Sequence, residues 1–264
     1  LIVSANGRPV RSNEDLTAAI QAAGGAPLTV VYRRSGAWHT ATLTPTADEN
    51  GHYKAGVWVR DSGAGIGTMS FVDPHRGTFA GLGHSISDAD TGADLTLLSG
   101  EIVPVTITGC IRGAAGSPGE LRGEFAAAPA GTVLANDAAG VYGTYTGSCT
   151  APALPVANLQ EVTPGEAELW TTVLGTTAQP YTIQVERVTM TGSDPNRNLL
   201  IRVTDKRLLD ATGGVVQGMS GSPIVQNGRL AAVLTHVLVN DPSRGYAIFA
   251  TTMLEKADAV ASSK

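Results

Sequence analysis

The sequence predicts a mostly β protein, and three observations carry that expectation. Glycine is abundant, at 32 of 264 residues, while aromatic residues make up only 5%. Val, Thr, Leu and Ala fill the apolar positions, in short runs. Gly- and Asn-rich turns separate those runs, a profile produced by many short strands with tight connections. The length suits one large or two smaller domains.

Taken in order, the chain opens with an apolar run and an Asn6-Gly7 turn, which predicts a strand and a tight reversal. Ser12 is placed to cap a helix, with Asp15 three residues on. Leu16, Ala19, Ile20 and Ala23 give that helix an apolar face, and Gly24-Gly25 ends it. Strands are expected over 28–33 and 38–43 around Ser35-Gly36. The polar stretch Asp48-Glu49-Asn50-Gly51 is the linker candidate, dividing a first domain at 1–46 from a second at 47–264. Beyond it, 55–60 alternates like a strand, 61–68 is a glycine loop, and 69–72 resumes strand character. Further strands are expected over 101–108, 140–143, 168–174, 181–189, 199–204 and 230–239, with a polar turn at 193–198. A terminal helix is expected over 251–260.

The net charge is −5 and the pI about 5.5. No Lys/Arg cluster occurs, so nucleic-acid binding is not expected. No run of 18 apolar residues is present, so no segment is expected to span a membrane. Cys110 and Cys149 are far apart in sequence, and a disulfide and two separate thiols both fit. No close Cys/His pair suggests a metal site.

The chemistry concentrates at Gly218-Met219-Ser220-Gly221-Ser222-Pro223. Flanking glycines let the backbone turn tightly around a serine whose Oγ is exposed. Nearby N–H groups can then converge on the oxygen that becomes negative in acyl transfer. A Gly/Ser hairpin loop is the plain alternative, and Ser222 is a second candidate nucleophile. Serine needs a base to take its proton. His84, set between glycine and serine in Gly83-His84-Ser85, has its ring presented for that role. His39, His52 and His75 lie at turns or strand edges. His236 lies inside an apolar run and is expected to be partly buried and hydrogen-bonded. Gly116-Ser117-Pro118 is expected to be a turn and not a second nucleophile.

Two resemblances follow. Over 1–46 the order of strand, Asn-Gly turn, helix and two strands resembles the second half of a bacterial PDZ domain. The half that supplies the peptide-pairing strand is missing, so the chain is expected to be a truncated or processed product. The nucleophile loop resembles that of chymotrypsin-like serine proteases. With it, five segments in order are similar to the SpoIVB peptidase family: 53–62, 83–88, 116–120, 203–209 and 212–224, the last continuing through Thr235-His236-Val237.

That resemblance implies a chymotrypsin-like double β-barrel preceded by the partial PDZ domain. It implies Ser220 as nucleophile, His84 as general base and Asp205 as the acid. By analogy with chymotrypsin-like loops, the N–H groups of Gly218 and Ser220 form the oxyanion hole. Asp205 lies unusually close upstream of the nucleophile for this fold, and Asp137 and Asp88 stay open as alternatives. No cofactor or metal is implied. The implied partner is a protein regulator in an intercompartmental sporulation pathway, with self-cleavage as a further reaction. The implied place is extracytoplasmic, between mother cell and forespore membranes, with membrane contact only through a segment that precedes this chain. A catalytically inactive scaffold that binds protein partners, or a relative with a target outside sporulation, are the other readings.

Overall fold

The computed structural model describes residues 1–34, 36–59, 63–88, 91–192 and 194–262. Ser35, Arg60 to Ser62 and Ser193, on which parts of the expected turns and strand fall, lie outside the described residues. Contacts divide the chain into Leu1–Ala64 and Gly65–Lys264.

In the first unit, β1 (Ile2–Ala5), β2 (Arg8–Pro9), α1 (Asn13–Ala23), β3 (Leu28–Arg34) and β4 (Ala37–Leu43) follow one another. The sheet order is β2-β1-β3-β4. Asn6 and Gly7 both have positive φ, as a two-residue reversal between twisted strands requires. The Ser12 hydroxyl accepts the Asp15 N–H at 3.2 Å, which caps α1. Leu16 and Ile20 bury that helix against Ala5, Leu28 and Val30. A short pair, β5 (Thr46–Ala47) and β6 (Tyr53–Lys54), completes the unit. Tyr53 is tied to α1 by two hydrogen bonds with Gln21, at 2.7 and 3.1 Å.

The strand expected at 55–60 does not form over its described part. Val57, Trp58 and Val59 are exposed and pair with no strand among the described residues. Alternation alone does not make a strand where no neighbour offers a ladder.

The second unit is built from two sheets. Its strands are β7 (Met69–Asp73), β8 (Thr78–Gly81), β9 (Glu101–Ile102), β10 (Val105–Ile111), β11 (Glu120–Phe125), β12 (Gly131–Asp137) and β13 (Gly140–Tyr145). Then come β14 (Gly165–Thr171), β15 (Gln179–Val188), β16 (Leu199–Val203), α2 (Lys206–Thr212), β17 (Pro223–Gln226), β18 (Arg229–Val237), β19 (Arg244–Phe249) and α3 (Ala250–Ser262). The first sheet is an open half-barrel ordered β7-β8-β13-β12-β9, with β10-β11 as a separate pair. The second closes into a six-stranded barrel, β14-β15-β16-β19-β18-β17. This is a mostly β fold of the chymotrypsin-like double-barrel kind. The strand expected over 101–108 is cut in two at Val103-Pro104, because proline cannot donate to a ladder.

The closed barrel holds the larger core, with Leu169, Ile183, Leu199, Ile201, Ile224 and Leu234 all fully buried. Where the sheets meet, Ala80 and Tyr142 pack on Val233 and Ile248, and α3 covers the seam with Met253 and Ala257. Both candidate catalytic segments leave strands at this seam. His84 follows β8 and Ser220 precedes β17.

Candidate active site

The serine loop is shaped by close backbone contact. Gly221 has φ +96°, and a Cβ there would lie 1.9 Å from the Thr68 carbonyl oxygen and 2.7 Å from the Leu82 nitrogen. Only glycine allows that approach. Thr68 then joins the two candidate segments. Its N–H donates to the Ser220 carbonyl at 2.8 Å, and its own carbonyl accepts the Leu82 N–H at 3.2 Å. Leu82 holds φ 68°, rare for a residue with a branched side chain. That φ aims the next two residues, Gly83 and His84, across the seam. A Cβ on Gly83 would meet the Thr235 methyl at 2.9 Å and Ile248 at 3.1 Å, so this turn lies directly on β18.

A bulge in β18 organises the rest. Leu234 opposes Ala247 and His236 opposes Tyr246, leaving Thr235 as the extra residue. Bulges re-aim groups at the edges of sites. Here the Thr235 carbonyl accepts the Ser220 hydroxyl at 2.6 Å. The His236 ring lies against the His84 ring, with centroids 4.9 Å apart and planes 34° apart. The structure therefore brings Ser220 and His84 onto adjacent residues of one strand. Both are half-exposed. No hydrogen bond joins them among the described residues, an arrangement common where substrate is absent.

His84 Nδ1 lies 2.7 Å from the Ser85 carbonyl oxygen. A carbonyl only accepts, so Nδ1 carries the proton and the Nε2 lone pair is left to act as base. The loop behind the ring is held in place by Asn136. Its side chain takes the Ile86 N–H at 2.7 Å and gives hydrogen bonds to the carbonyls of Ile86 and Leu95, both at 2.9 Å. Asp94 accepts the hydroxyls of Ser85 and Ser87, which holds its carboxyl below the usual range.

The amides of the serine loop divide into two sets. Met219 N–H donates to Val216, Gly221 N–H to Leu234 and Ser222 N–H to Met219. The N–H groups of Gly218 and Ser220 donate to no acceptor among the described residues. They are the two expected from the sequence as oxyanion donors. Ser222 is buried, and its hydroxyl donates to Thr171 Oγ1 at 3.0 Å, so it is a structural residue. Gly116-Ser117-Pro118 is a turn, as expected. The chain leaving that turn pairs with the residue before Gly218, through Gln217 N–H to Gly119 and Leu121 N–H to Gln217.

The structure does not bring Asp205 to His84. Asp205 is the N-cap of α2, and its carboxylate accepts the N–H groups of Arg207 and Thr182. It also forms an ion pair with the Arg207 guanidinium at 2.7 Å. That pairing holds its carboxyl down to about 2. Its distance from the histidines follows from register. His236 opposes Tyr246, and Tyr246 opposes Leu200 on β16. Asp205 lies five residues beyond Leu200, and the strand from Leu200 to Val203 alone covers about 10 Å. Asp137 pairs with Lys256 at 3.2 Å and accepts the Ala139 N–H. Asp88 accepts the N–H and hydroxyl of Thr91. No carboxylate hydrogen-bonds to His84 among the described residues.

His236 differs from its expectation. It is partly buried, but its Nδ1 is sealed from solvent with no hydrogen-bond partner among the described residues. Cys110 and Cys149 are free thiols. Among the described residues, no group of three His, Cys, Asp or Glu side chains converges as metal ligands would.

The family model "SpoIVB peptidase S55" matches residues 51–254. The chain belongs to the SpoIVB peptidase family. It is therefore a serine peptidase, a hydrolase of peptide bonds. Among solved structures it is similar to the Rv3671c protease in an inactive form, at 16% identity and TM-score 0.36, over 53% of this chain and 72% of that one. It is also similar to the active form of that protease from M. tuberculosis, at 16% identity and TM-score 0.37, over 60% and 79%. No curated protein of matching sequence was found.

The sequence marks Ser220 and His84 as candidates, but gives little sign of Thr68, Thr235 and Asn136, which hold their segments. Thr68 carries one mark, its place after Gly65-Ile66-Gly67. Thr235 and Asn136 act through a bulge and a loop clamp, which have no local signature.

Proposed function

We propose that this SpoIVB-type peptidase is an endopeptidase in which Ser220 is the nucleophile and His84 the general base. Ser220 Oγ attacks the scissile carbonyl and His84 Nε2 takes its proton. The new oxyanion is received by the N–H groups of Gly218 and Ser220. His84 then gives the proton to the leaving amine, and water resolves the acyl-enzyme by the reverse sequence. The carrying observation is that, among the described residues, the N–H groups of Gly218 and of Ser220 itself are unengaged, in a loop whose serine is partly exposed. Asp205, the acid by family resemblance, would act directly on His84 only in another conformation than this one. Here the Ser85 carbonyl fixes the histidine tautomer.

The finer reading comes from the family's role. The substrate is a protein regulator of a membrane-embedded processing complex, cut outside the cytoplasm between mother cell and forespore, with self-cleavage as a second reaction. Residues 1–46 are read as the second half of a PDZ domain. A fluorophosphonate probe tests the core of this proposal. Wild type should label, Ser222→Ala should label, and Ser220→Ala and His84→Ala should not. One observation favours a second reading, an inactive scaffold: the Ser220 hydroxyl is held by Thr235 and not by His84. Wild type that fails to label while Ser220→Ala is equally silent would support the scaffold.

A further inference from the structure

Once Ser220 gives up its proton, His84 becomes an imidazolium, and something must stabilise that cation. A triad uses a carboxylate on the second ring nitrogen. Here that nitrogen faces the Ser85 carbonyl, and no carboxylate reaches the ring among the described residues. What does reach it is another imidazole, the His236 ring at 4.9 Å.

We infer that His236 is a positioning residue, whose ring lies against His84 and stabilises the imidazolium that forms there. The inference rests on Ser220 and His84 being nucleophile and base. Only one proton moves, from Ser220 Oγ to His84 Nε2, and His236 neither gains nor loses one.

Three observations support this. The two ring centroids lie 4.9 Å apart with the planes tilted by 34°, inside the distance of about 6 Å over which a cation is attracted to an aromatic ring. The ring is set by the bulge at Thr235, the residue whose carbonyl holds the Ser220 hydroxyl, so histidine pair and nucleophile share one anchor. Its surroundings keep it uncharged. Burial, then His84, then Arg197 push its pKa down to about 4, with Asp194 opposing them. Arg197 comes from the turn at Pro195–Arg197, where it pairs with Asp194 at 3.1 Å and lies over the Tyr246 ring at 5.1 Å. Tyr246 is the cross-strand neighbour of His236 on β19. A charged ring in this place would repel the imidazolium, so the low pKa suits the role.

The test compares His236→Phe with His236→Leu in the full chain, since both fill the space but only one keeps an aromatic face. Inactivation by a fluorophosphonate separates the limiting acylation rate from probe binding. The Leu variant should lose about tenfold in the limiting rate, with probe affinity changed by less than about twofold. The Phe variant should return to within about threefold of wild type. Equal rates in Leu and wild type would overturn the inference. So would a Phe variant as slow as Leu, or a loss confined to probe affinity. Melting temperatures near wild type in both variants confirm that the fold is kept. Wild type that does not label would overturn the Ser220/His84 reading itself, whereas labelled wild type with unaffected variants would overturn this inference alone.

Discussion

The serine and histidine of this site are held in different ways. Ser220 belongs to a closed barrel, and backbone contacts fix its loop so tightly that a single methyl would not fit at Gly221. His84 leaves an open half-barrel, and the loop behind it is held by side chains: Asn136, Asp94 and the hydroxyls of Ser85 and Ser87. One side is set by sterics and the other by polar contacts that are partly open to water. The difference teaches where adjustment can occur. A hydrogen bond that must tighten on substrate binding will do so by movement on the histidine side.

The sharpest way to break this contrast is Gly221→Ala. The new methyl would overlap the Thr68 carbonyl, and φ +96° is strained for alanine in any case. Backbone cannot step aside as a side chain end can, so a stability loss of at least about 3 kcal/mol is expected, with loss of labelling. Gly83→Ala is the paired control, because its nearest contact is the Thr235 methyl, a side chain. Denaturant unfolding of the two variants should show the larger loss at Gly221. The reverse order would refute the steric account of the serine loop.

Asn136→Ala tests the other side. It removes three hydrogen bonds to the loop that follows His84. Stability should fall by about 1–2 kcal/mol. With His84 as the proposed base, acylation should slow by about tenfold or more, because the loop that carries it is no longer held. A variant that loses stability with no change in labelling rate would show that Asn136 supports the sheet and not the ring.

The same contrast explains how much was legible beforehand. The serine loop was readable because its sterics are written locally, in glycines around one hydroxyl. Ser12, Gly24 and the Asn6-Gly7 turn were readable for the same reason. His84 is marked as a candidate by its flanks, but the supports of its loop have no such mark. Asn136 is 52 positions away in sequence and reaches the loop only because β12 lies beside β13 in the half-barrel. Thr235 acts through a bulge, and a one-residue slip in pairing leaves no trace in an apolar run. The expected strand does not form over its described part, 55–59, for the complementary reason: alternation reports what a segment could bury, not whether a partner is present.

Asp205 gives a smaller and more specific test. Its folded pKa of about 2 lies below the ordinary 3.8, so the ionised carboxylate stabilises the fold. That contribution is fully present above about pH 4 and is lost as pH falls toward 2. Arg207 is largely exposed, and asparagine still caps a helix, so Asp205→Asn should cost only about 1 kcal/mol at neutral pH. The gap between wild type and variant should close between pH 4 and pH 2 in denaturant titrations. Labelling at neutral pH should persist. Labelling that collapses while stability barely moves would mean that Asp205 reaches His84 in the active conformation and that the histidine loop travels a long way.

The smallest effect is expected at Asp137, and its smallness is what makes it useful. Its ion pair with Lys256 joins two side chains that are each more than a third exposed. Such pairs contribute about 0–1 kcal/mol. Asp137→Asn keeps an oxygen for the Ala139 N–H, so stability should change by less than about 0.5 kcal/mol and labelling not at all. Asp137 follows Asn136 directly, yet on a strand the two side chains point to opposite faces. If Asn136→Ala slows acylation and Asp137→Asn does not, the effect belongs to the face that holds the histidine loop. If Asp137→Asn slows it as much, the acid of this peptidase lies on β12, and the neutral ring of His236 is not the main support of the imidazolium.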